Sequence, residues 1–184
     1  CRQINLGCES GSNEILKKVH KGMTKEQNLN IIKLCHKHNI KTKGFFIFGL
    51  PGDTKKTIKD TIEFAKECYK NGMKYLDFYA LCPMPNTPIW EHPEKYGLKI
   101  IKPKDSNWND YYQIGRDGIP KHWKVKHPNL TRKDISFYIK KANKKNNKLK
   151  IINLCRVCKN VKLPYNIFVC DKCADNYFKN HILD

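Results

Sequence analysis

A continuous apolar run at residues 44–49, Gly-Phe-Phe-Ile-Phe-Gly, most constrains how this 184-residue chain can fold. Its apolar side chains do not alternate with polar ones, which is typical of a strand buried on both faces, as in a parallel sheet covered by helices. Two further short strands are predicted at residues 4–7 and 75–81. The chain is therefore predicted to contain three strands of a parallel sheet.

Helical patterns fill the spaces between these strands. Residues 24–27, Thr-Lys-Glu-Gln, have the form of a capping box, and apolar residues follow at helical spacing to about His38. A shorter helix is predicted at 13–19, and a longer one begins after residue 54 and ends at residues 71–72, Asn-Gly. Such alternation with short connections implies an α/β fold with parallel strands and right-handed crossovers.

The positive charge of the chain is concentrated after this α/β part. The chain carries 36 basic and 17 acidic residues, a net charge of +19, and residues 101–150 hold 14 basic and four acidic ones. This charge keeps RNA open as a partner. However, 32 of the basic residues are Lys, whereas phosphate recognition favours the planar guanidinium of Arg, so we favour a solvated surface. The same region is loop-rich, with a helix predicted from Asp134 to about Lys148.

Three loops that follow the strands are candidate ligand-binding segments, because parallel sheets bind ligands at the carboxyl ends of their strands. Residues 9–12, Glu-Ser-Gly-Ser, offer a carboxylate and hydroxyls for ribose hydroxyls or an amino group, or else cap the following helix. Residues 49–54, Gly-Leu-Pro-Gly-Asp-Thr, can present main-chain groups to an adenine edge. Residues 83–88, Pro-Met-Pro-Asn-Thr-Pro, predict a rigid turn with Asn86 in the left-handed conformation.

The tail carries two Cys-x-x-Cys pairs separated by eleven residues. This spacing is typical of a structural zinc site formed by four thiolates, here Cys155, Cys158, Cys170 and Cys173. A module of this size, residues 151–184, would draw much of its stability from the metal. An auxiliary iron–sulfur cluster and disulfides are the alternatives, although a cytosolic setting keeps thiols reduced.

The three loops, with Lys-Gly-Met-Thr at residues 21–24 between the first two, resemble the radical S-adenosylmethionine (SAM) superfamily. The resemblance is closest to the branch that often carries an N-terminal cobalamin-binding domain, and it covers about residues 1–90. It implies half of a partial, six-stranded (β/α) barrel, of which this chain supplies the last three strands. Asp53 and Asn86 depart from the Glu and Gly usual in that branch.

The resemblance also implies the cofactors and the residues that hold them. Glu9 and Ser10 would lie near the ribose and methionine parts of SAM, and the adenine would be flanked by Gly44, Ile47, Gly49 and Leu50. The family's Cys-x-x-x-Cys-x-x-Cys, which holds a 4Fe-4S cluster, does not occur in this sequence. We therefore expect a preceding segment to bind the cluster and this chain alone to be inactive. The cluster supplies the electron that cleaves SAM to a 5'-deoxyadenosyl radical, and it requires a reductant such as flavodoxin or ferredoxin.

The sequence thus predicts the carboxyl half of a radical SAM enzyme in three parts: core at 1–90, Lys-rich extension at 91–150 and zinc-ribbon-like module at 151–184. The expected reaction is radical chemistry on an unknown small or macromolecular substrate, with methyl transfer if a cobalamin domain precedes the chain. The alternatives are a methylthiotransferase acting on tRNA and a zinc-ribbon nucleic-acid-binding module without catalysis. No window approaches 18 consecutive apolar residues, so we expect no membrane segment and a cytoplasmic protein.

Overall fold

A computed structural model describes residues 1–101 and 124–148 of the chain. Three parallel strands form one sheet in the order β1 (Gln3–Glu9), β2 (Lys41–Phe48) and β3 (Tyr75–Ala80). The three predicted strands and their parallel arrangement are therefore confirmed. The β1–β2 ladder shifts register between Gly7 and Glu9, so the end of β1 departs from regular pairing.

Three helices connect these strands: α1 (Asn13–Lys18), α2 (Lys25–Lys37) and α3 (Lys55–Lys70). Each helix begins after a residue whose side-chain hydroxyl accepts a backbone N–H of the first turn. These residues are Ser12, Thr24 and Thr54, respectively. The capping box predicted at Thr24 is present, and Thr54 forms a second one. Local sequence therefore determines where each of these helices starts.

Short elements follow β3. They are α4 (Pro88–Glu91), a 3-10 turn (Pro93–Tyr96), and the antiparallel pair β4 (Lys99–Ile100) and β5 (Val125–Lys126). The last described element is α5 (Arg132–Lys148), which begins two residues before the predicted helix. Thr131 starts it, because its hydroxyl accepts the Asp134 N–H while the Asp134 carboxylate accepts the Thr131 N–H.

The two faces of β2 differ in burial. Phe46 and Phe48 are fully buried on one face, whereas Lys43, Phe45 and Ile47 on the other are half-buried. The expectation that both faces are buried is therefore wrong for the described residues: α2, α3 and α5 pack on one face, and the other, here called the uncovered face, is contacted by α1 only near Ile47. On the covered face β2 and β3 share a core with α2, α3 and α5, which includes Ile32, Phe46, Ile58, Phe64, Phe78, Ile135, Tyr138 and Ile139.

Two parts of the chain lie outside the described residues. Residues 102–123 belong to the predicted extension, and residues 149–184 contain the four tail cysteines expected to bind zinc. The zinc-ribbon-like module thus stays a prediction. None of the helices in the described part combines the length and apolarity needed to cross a membrane.

Candidate functional site

The loops that follow β1, β2 and β3 meet at one edge of the sheet, because the three strands run parallel. They comprise residues 10–12, 49–54 and 81–87. Asn86 in the third loop has φ of +62°, so its predicted left-handed conformation is confirmed. This edge is where the sequence places its candidate site.

Glu9 is the most unusual residue of this edge. Its backbone is left-handed, with φ of +59°, which costs about 1–3 kcal/mol for a residue other than glycine. One carboxylate oxygen, Oε1, lies 3.1 Å from the Lys21 ammonium. The other oxygen, Oε2, is buried and has no hydrogen-bond partner among the described residues. Backbone strain and a buried acceptor without a partner in the described part of the chain together make Glu9 the candidate ligand-binding residue of this edge.

Gly7 leaves room for the Glu9–Lys21 ion pair because it has no side chain. A Cβ atom at Gly7 would lie 2.6 Å from Glu9 Oε1 and 2.8 Å from Lys21 Nζ. Gly7 pairs with Phe45 in the parallel ladder, so both residues face the same side of the sheet, the side that the helices leave uncovered. The carboxylate therefore lies over the uncovered face at the end of β1.

Ser10 points away from this face. Its hydroxyl lies 3.2 Å from Thr61 Oγ1, and because the Thr61 hydroxyl donates to the Thr57 carbonyl, Ser10 is the donor of the pair. Ser10 Oγ also accepts the Ser12 N–H, and the Gly11 N–H donates to Thr61 Oγ1. These bonds fasten the first loop to α3. The alternative prediction that Ser10 caps α1 is wrong, because the residue that caps α1 is Ser12.

Asp53 shapes the second loop from within. Its buried carboxylate accepts the N–H groups of Gly49 and Leu50 on Oδ2, at 2.9 and 3.0 Å, and the Thr57 hydroxyl on Oδ1 at 2.7 Å. Burial raises the pKa of Asp53 to about 6, although the three hydrogen bonds act in the opposite direction. The loop conformation, in which Gly49 has φ of +86°, is thereby held by the chain itself.

Residues far along the chain also hold the second loop. His127 Nδ1 accepts the Asn129 N–H, so Nε2 carries the ring proton and donates to the Leu50 carbonyl at 3.0 Å. The Asn129 side-chain amide donates to the Asp53 carbonyl at 3.1 Å. Burial lowers the pKa of His127. Sequence reasoning missed both residues, because neither lies in a recognisable motif.

The structure brings four of the six predicted SAM-binding residues to the carboxyl edge on its uncovered side. Glu9, Gly49 and Leu50 lie at strand ends, and Ile47 packs against a small apolar cluster that contains Leu50. Gly44 is not brought together with them. It lies in mid-strand on the covered face, where an added Cβ would meet Met73 Sδ at 2.6 Å.

A polar cluster on the uncovered face escaped sequence reasoning. The Lys43 ammonium lies 2.7 Å from the Asp77 carboxylate, and the Tyr79 hydroxyl donates to the same carboxylate at 3.1 Å. The Phe45 ring lies beside both, 5.1 Å from Lys43 Nζ and 6.2 Å, between centroids, from Tyr79. Burial raises the pKa of Tyr79 to about 12, so the phenol keeps its proton. The sequence signal that could have predicted this cluster is a charged residue within each of two apolar strands, Lys43 in β2 and Asp77 in β3.

Comparison with known proteins is consistent with this geometry. The model of the radical SAM superfamily matches residues 1–65. An uncharacterised methyltransferase of Pyrococcus horikoshii is 32% identical over 142 residues, which are 77% of this chain and 28% of the relative. A bacteriochlorophyllide d C-12(1)-methyltransferase of Chlorobaculum tepidum is 35% identical over 92 residues, which are 50% of this chain and 20% of the relative's length.

A relative of another reaction type is also similar. A tRNA-2-methylthio-N(6)-dimethylallyladenosine synthase of Ehrlichia ruminantium is 37% identical over 93 residues, 48% of this chain and 20% of its own. The matched regions of these three relatives are thus between 20% and 28% of their lengths. A solved radical S-adenosylmethionine methyltransferase of Kitasatospora setae, with cobalamin and a 4Fe-4S cluster bound, is 24% identical with a TM-score of 0.47, covering 56% of this chain and 22% of its own.

The residues at the edge fit one of the two groups that this family uses. SAM carries hydroxyl and amino donors, which the unpaired Glu9 Oε2 can accept. A cluster needs thiolates, and no group of three or more His, Cys, Asp or Glu residues in the described part of the chain could hold a metal. Residues 1–65 of this chain thus match the radical SAM superfamily, and the loops at residues 9–12 and 49–54 lie within the matched region.

Proposed function

We propose that this chain is the carboxyl-terminal part of a radical SAM enzyme core and that its carboxyl edge binds SAM. The observation that carries the proposal is the buried Oε2 of Glu9, an acceptor without a partner among the described residues. A buried unpaired carboxylate oxygen costs about 1–3 kcal/mol or more, and a ribose hydroxyl or the amino group of SAM would remove that cost. Lys21 fixes the other oxygen, so the carboxylate is oriented before the ligand arrives.

The second loop supports the adenine part of the proposal. Asp53 and His127 hold its main chain in one conformation, so ligand binding costs little ordering entropy there. Ile47 is half-buried and supplies apolar surface of the kind that flanks a planar ring, whereas Leu50 is buried in the cluster against which Ile47 packs. Gly44 and Ser10 are less well supported, because Gly44 faces Met73 and the Ser10 hydroxyl faces Thr61.

The 4Fe-4S cluster would be held by three cysteines outside this chain, whose sequence lacks the Cys-x-x-x-Cys-x-x-Cys motif. Reductive cleavage of SAM is the chemistry that the cluster supplies. The described residues would then bind and orient SAM and shape the uncovered face on which the substrate reacts. The family match supports an enzyme over a binding module without catalysis.

Methyl transfer is the reaction we propose, supported by the two relatives named methyltransferases. Cobalamin dependence rests on the resemblance to the branch with an N-terminal cobalamin-binding domain. Methylthio transfer to tRNA is the second candidate, and it is favoured by the similarity to the Ehrlichia ruminantium enzyme. We further propose that the tail cysteines bind zinc and that the protein acts in the cytoplasm with a flavodoxin-like or ferredoxin-like reductant.

Equilibrium binding of labelled SAM to the cluster-loaded, full-length enzyme tests the proposal. Glu9→Ala should weaken binding by about 10- to 100-fold, as expected for the loss of a charge-assisted hydrogen bond. Glu14→Ala is the matched control, because Glu14 is exposed and paired with Lys18 just as Glu9 is paired with Lys21. Equal SAM affinity in the Glu9→Ala variant and the wild type would overturn the assignment. Products formed from methyl-labelled SAM then distinguish methyl from methylthio transfer.

A further inference from the structure

Helix α5 exposes an aromatic side chain among lysines. Phe137 is 59% exposed, whereas Tyr138 beside it is buried. Lys133 and Lys141 stand four residues before and after Phe137, so all three lie on one face of the helix, and Lys140 lies next to them. We call Lys133, Phe137, Lys140 and Lys141 the Phe137 surface.

The fold does not need Phe137. The helix packs on the core through Ile135, Tyr138, Ile139 and Ala142, all of which are buried. The Phe137 ring instead stands edge-on to Tyr138, with 5.2 Å between ring centroids, and turns its remaining surface outward. Aromatic side chains are enriched at binding surfaces, and here one is exposed beside several lysines.

The helix around this ring is strongly positive. Helix α5 has seven basic residues and one acidic residue, Asp134. Asp134 is already engaged by the Lys55 ammonium at 2.9 Å and by Thr131, and these interactions lower its pKa to about 2. Within the described ranges, no carboxylate pairs with Lys133 or Lys140, and the Lys141 ammonium lies 5.9 Å from the centroid of the Phe137 ring.

We propose that the Phe137 surface binds single-stranded RNA, with an unpaired base stacked on Phe137 and the neighbouring phosphates bound by Lys133, Lys140 and Lys141. Stacking on an aromatic side chain and salt-sensitive phosphate binding are the two components of single-strand recognition, and this surface has both. Unpaired bases are what RNA loops display, whereas a duplex hides them. This proposal does not depend on SAM binding.

An anionic membrane is the competing partner for a basic helix with an exposed aromatic. Membrane-surface helices bury a whole apolar stripe in the lipid, but the apolar stripe of α5 is already buried in the protein core. Phe137 is the one large apolar side chain exposed in the part of α5 with described side chains. Nucleic acid therefore fits this surface better than lipid.

Binding of a fluorescein-labelled 12-nucleotide RNA of mixed A and U to the full chain tests the proposal. Phe137→Ala should weaken binding by about 5- to 150-fold, which is the effect of removing one stacked base. Leu34→Ala is the matched control, because Leu34 is 57% exposed on α2 between Lys33 and Lys37 but cannot stack, and it should change affinity less than twofold. Phe137→Tyr should bind like the wild type.

Salt dependence provides a second readout. Replacing both Lys133 and Lys141 by Met should reduce the slope of log K against log salt by about 1.4, because each lysine neutralises one phosphate and each phosphate of a single strand contributes about 0.7. The proposal is overturned if Phe137→Ala binds RNA no more weakly than Leu34→Ala while circular dichroism shows both variants folded. It is equally overturned if phosphatidylserine vesicles bind the chain more tightly than the RNA and lose that binding with Phe137→Ala.

Discussion

Replacing Asp53 should have very different effects with Ala and with Asn. Asp53→Ala removes the acceptor of two buried backbone N–H groups, those of Gly49 and Leu50. Each buried donor left unpaired costs about 1–3 kcal/mol, so the free energy of unfolding should fall by about 2–6 kcal/mol. Asp53→Asn keeps a carbonyl oxygen for the two N–H groups and an amide that can donate to Thr57 Oγ1. Its cost at pH 7 should stay within about 1 kcal/mol.

The pH dependence of this pair has a definite sign. The pKa of Asp53 is raised in the fold, from 3.8 to about 6, because burial disfavours its charge. Its contribution to stability is therefore fully present below 3.8 and is lost as pH rises through about 6. At about 1.4 kcal/mol for each pH unit, the wild type should gain about 2.4 kcal/mol over Asp53→Asn between pH 7 and pH 4.

Urea unfolding of the 184-residue chain, followed by circular dichroism between pH 4 and pH 7, measures both effects. The reasoning fails if Asp53→Asn is as unstable as Asp53→Ala at pH 7, because the hydrogen bonds would then not depend on an acceptor at this position. It also fails if the difference between wild type and Asp53→Asn does not change with pH. In that case Asp53 titrates at its ordinary value in the fold.

Three further predictions concern the neighbouring residues. Gly7→Ala should reduce the free energy of SAM binding more than the free energy of unfolding, since the added Cβ would displace the Glu9 carboxylate. Equal SAM affinity of the Gly7→Ala variant and the wild type in a binding assay would contradict this. Gly44→Ala should lower the free energy of unfolding by about 1–3 kcal/mol by crowding Met73, and a double-mutant cycle with Met73→Ala should show coupling; additive effects would mean that the two side chains do not meet. Because the pKa of His127 is lowered in the fold, its contribution to stability is fully present above pH 6.5 and is lost on acidification. The Asp53→Asn variant should therefore lose stability as the pH falls below 6.5, and the double variant Asp53→Asn/His127→Gln should not. The same loss of stability in the double variant would mean that another group causes it.

Local signals predicted the helix starts and one unusual turn correctly. Thr24 with Gln27 forms a capping box, and Asn86 is left-handed, because both features arise from bonds within a few residues. The three parallel strands were equally predictable, since each is bounded by turn residues and separated from the next by helical patterns. The order of the motifs also carried the resemblance to the radical SAM superfamily, whose model matches residues 1–65.

Interactions between distant parts of the chain were not predictable. Lys43 and Asp77 lie 34 positions apart and meet only because the register of β2 and β3 aligns them on the uncovered face. His127 reaches Leu50 from a loop-rich segment without a periodic pattern. Gly44 was placed by its motif near the ligand, but strand alternation turns it toward Met73. The face of the sheet on which a residue lies depends on strand register, because a shift of one residue moves every side chain to the other face. The motif that contains Gly44 did not specify this register.

Hydrogen–deuterium exchange of the full-length, cluster-loaded enzyme with and without SAM tests the central claim most directly. The claim is that the first two carboxyl-edge loops bind SAM, so peptides covering residues 7–12 and 49–54 should exchange more slowly when SAM is present. Peptides from the exposed side of α2 provide the internal control and should be unchanged. Saturating SAM that leaves exchange of both loops unaltered, or that protects only segments outside this chain, would contradict the account.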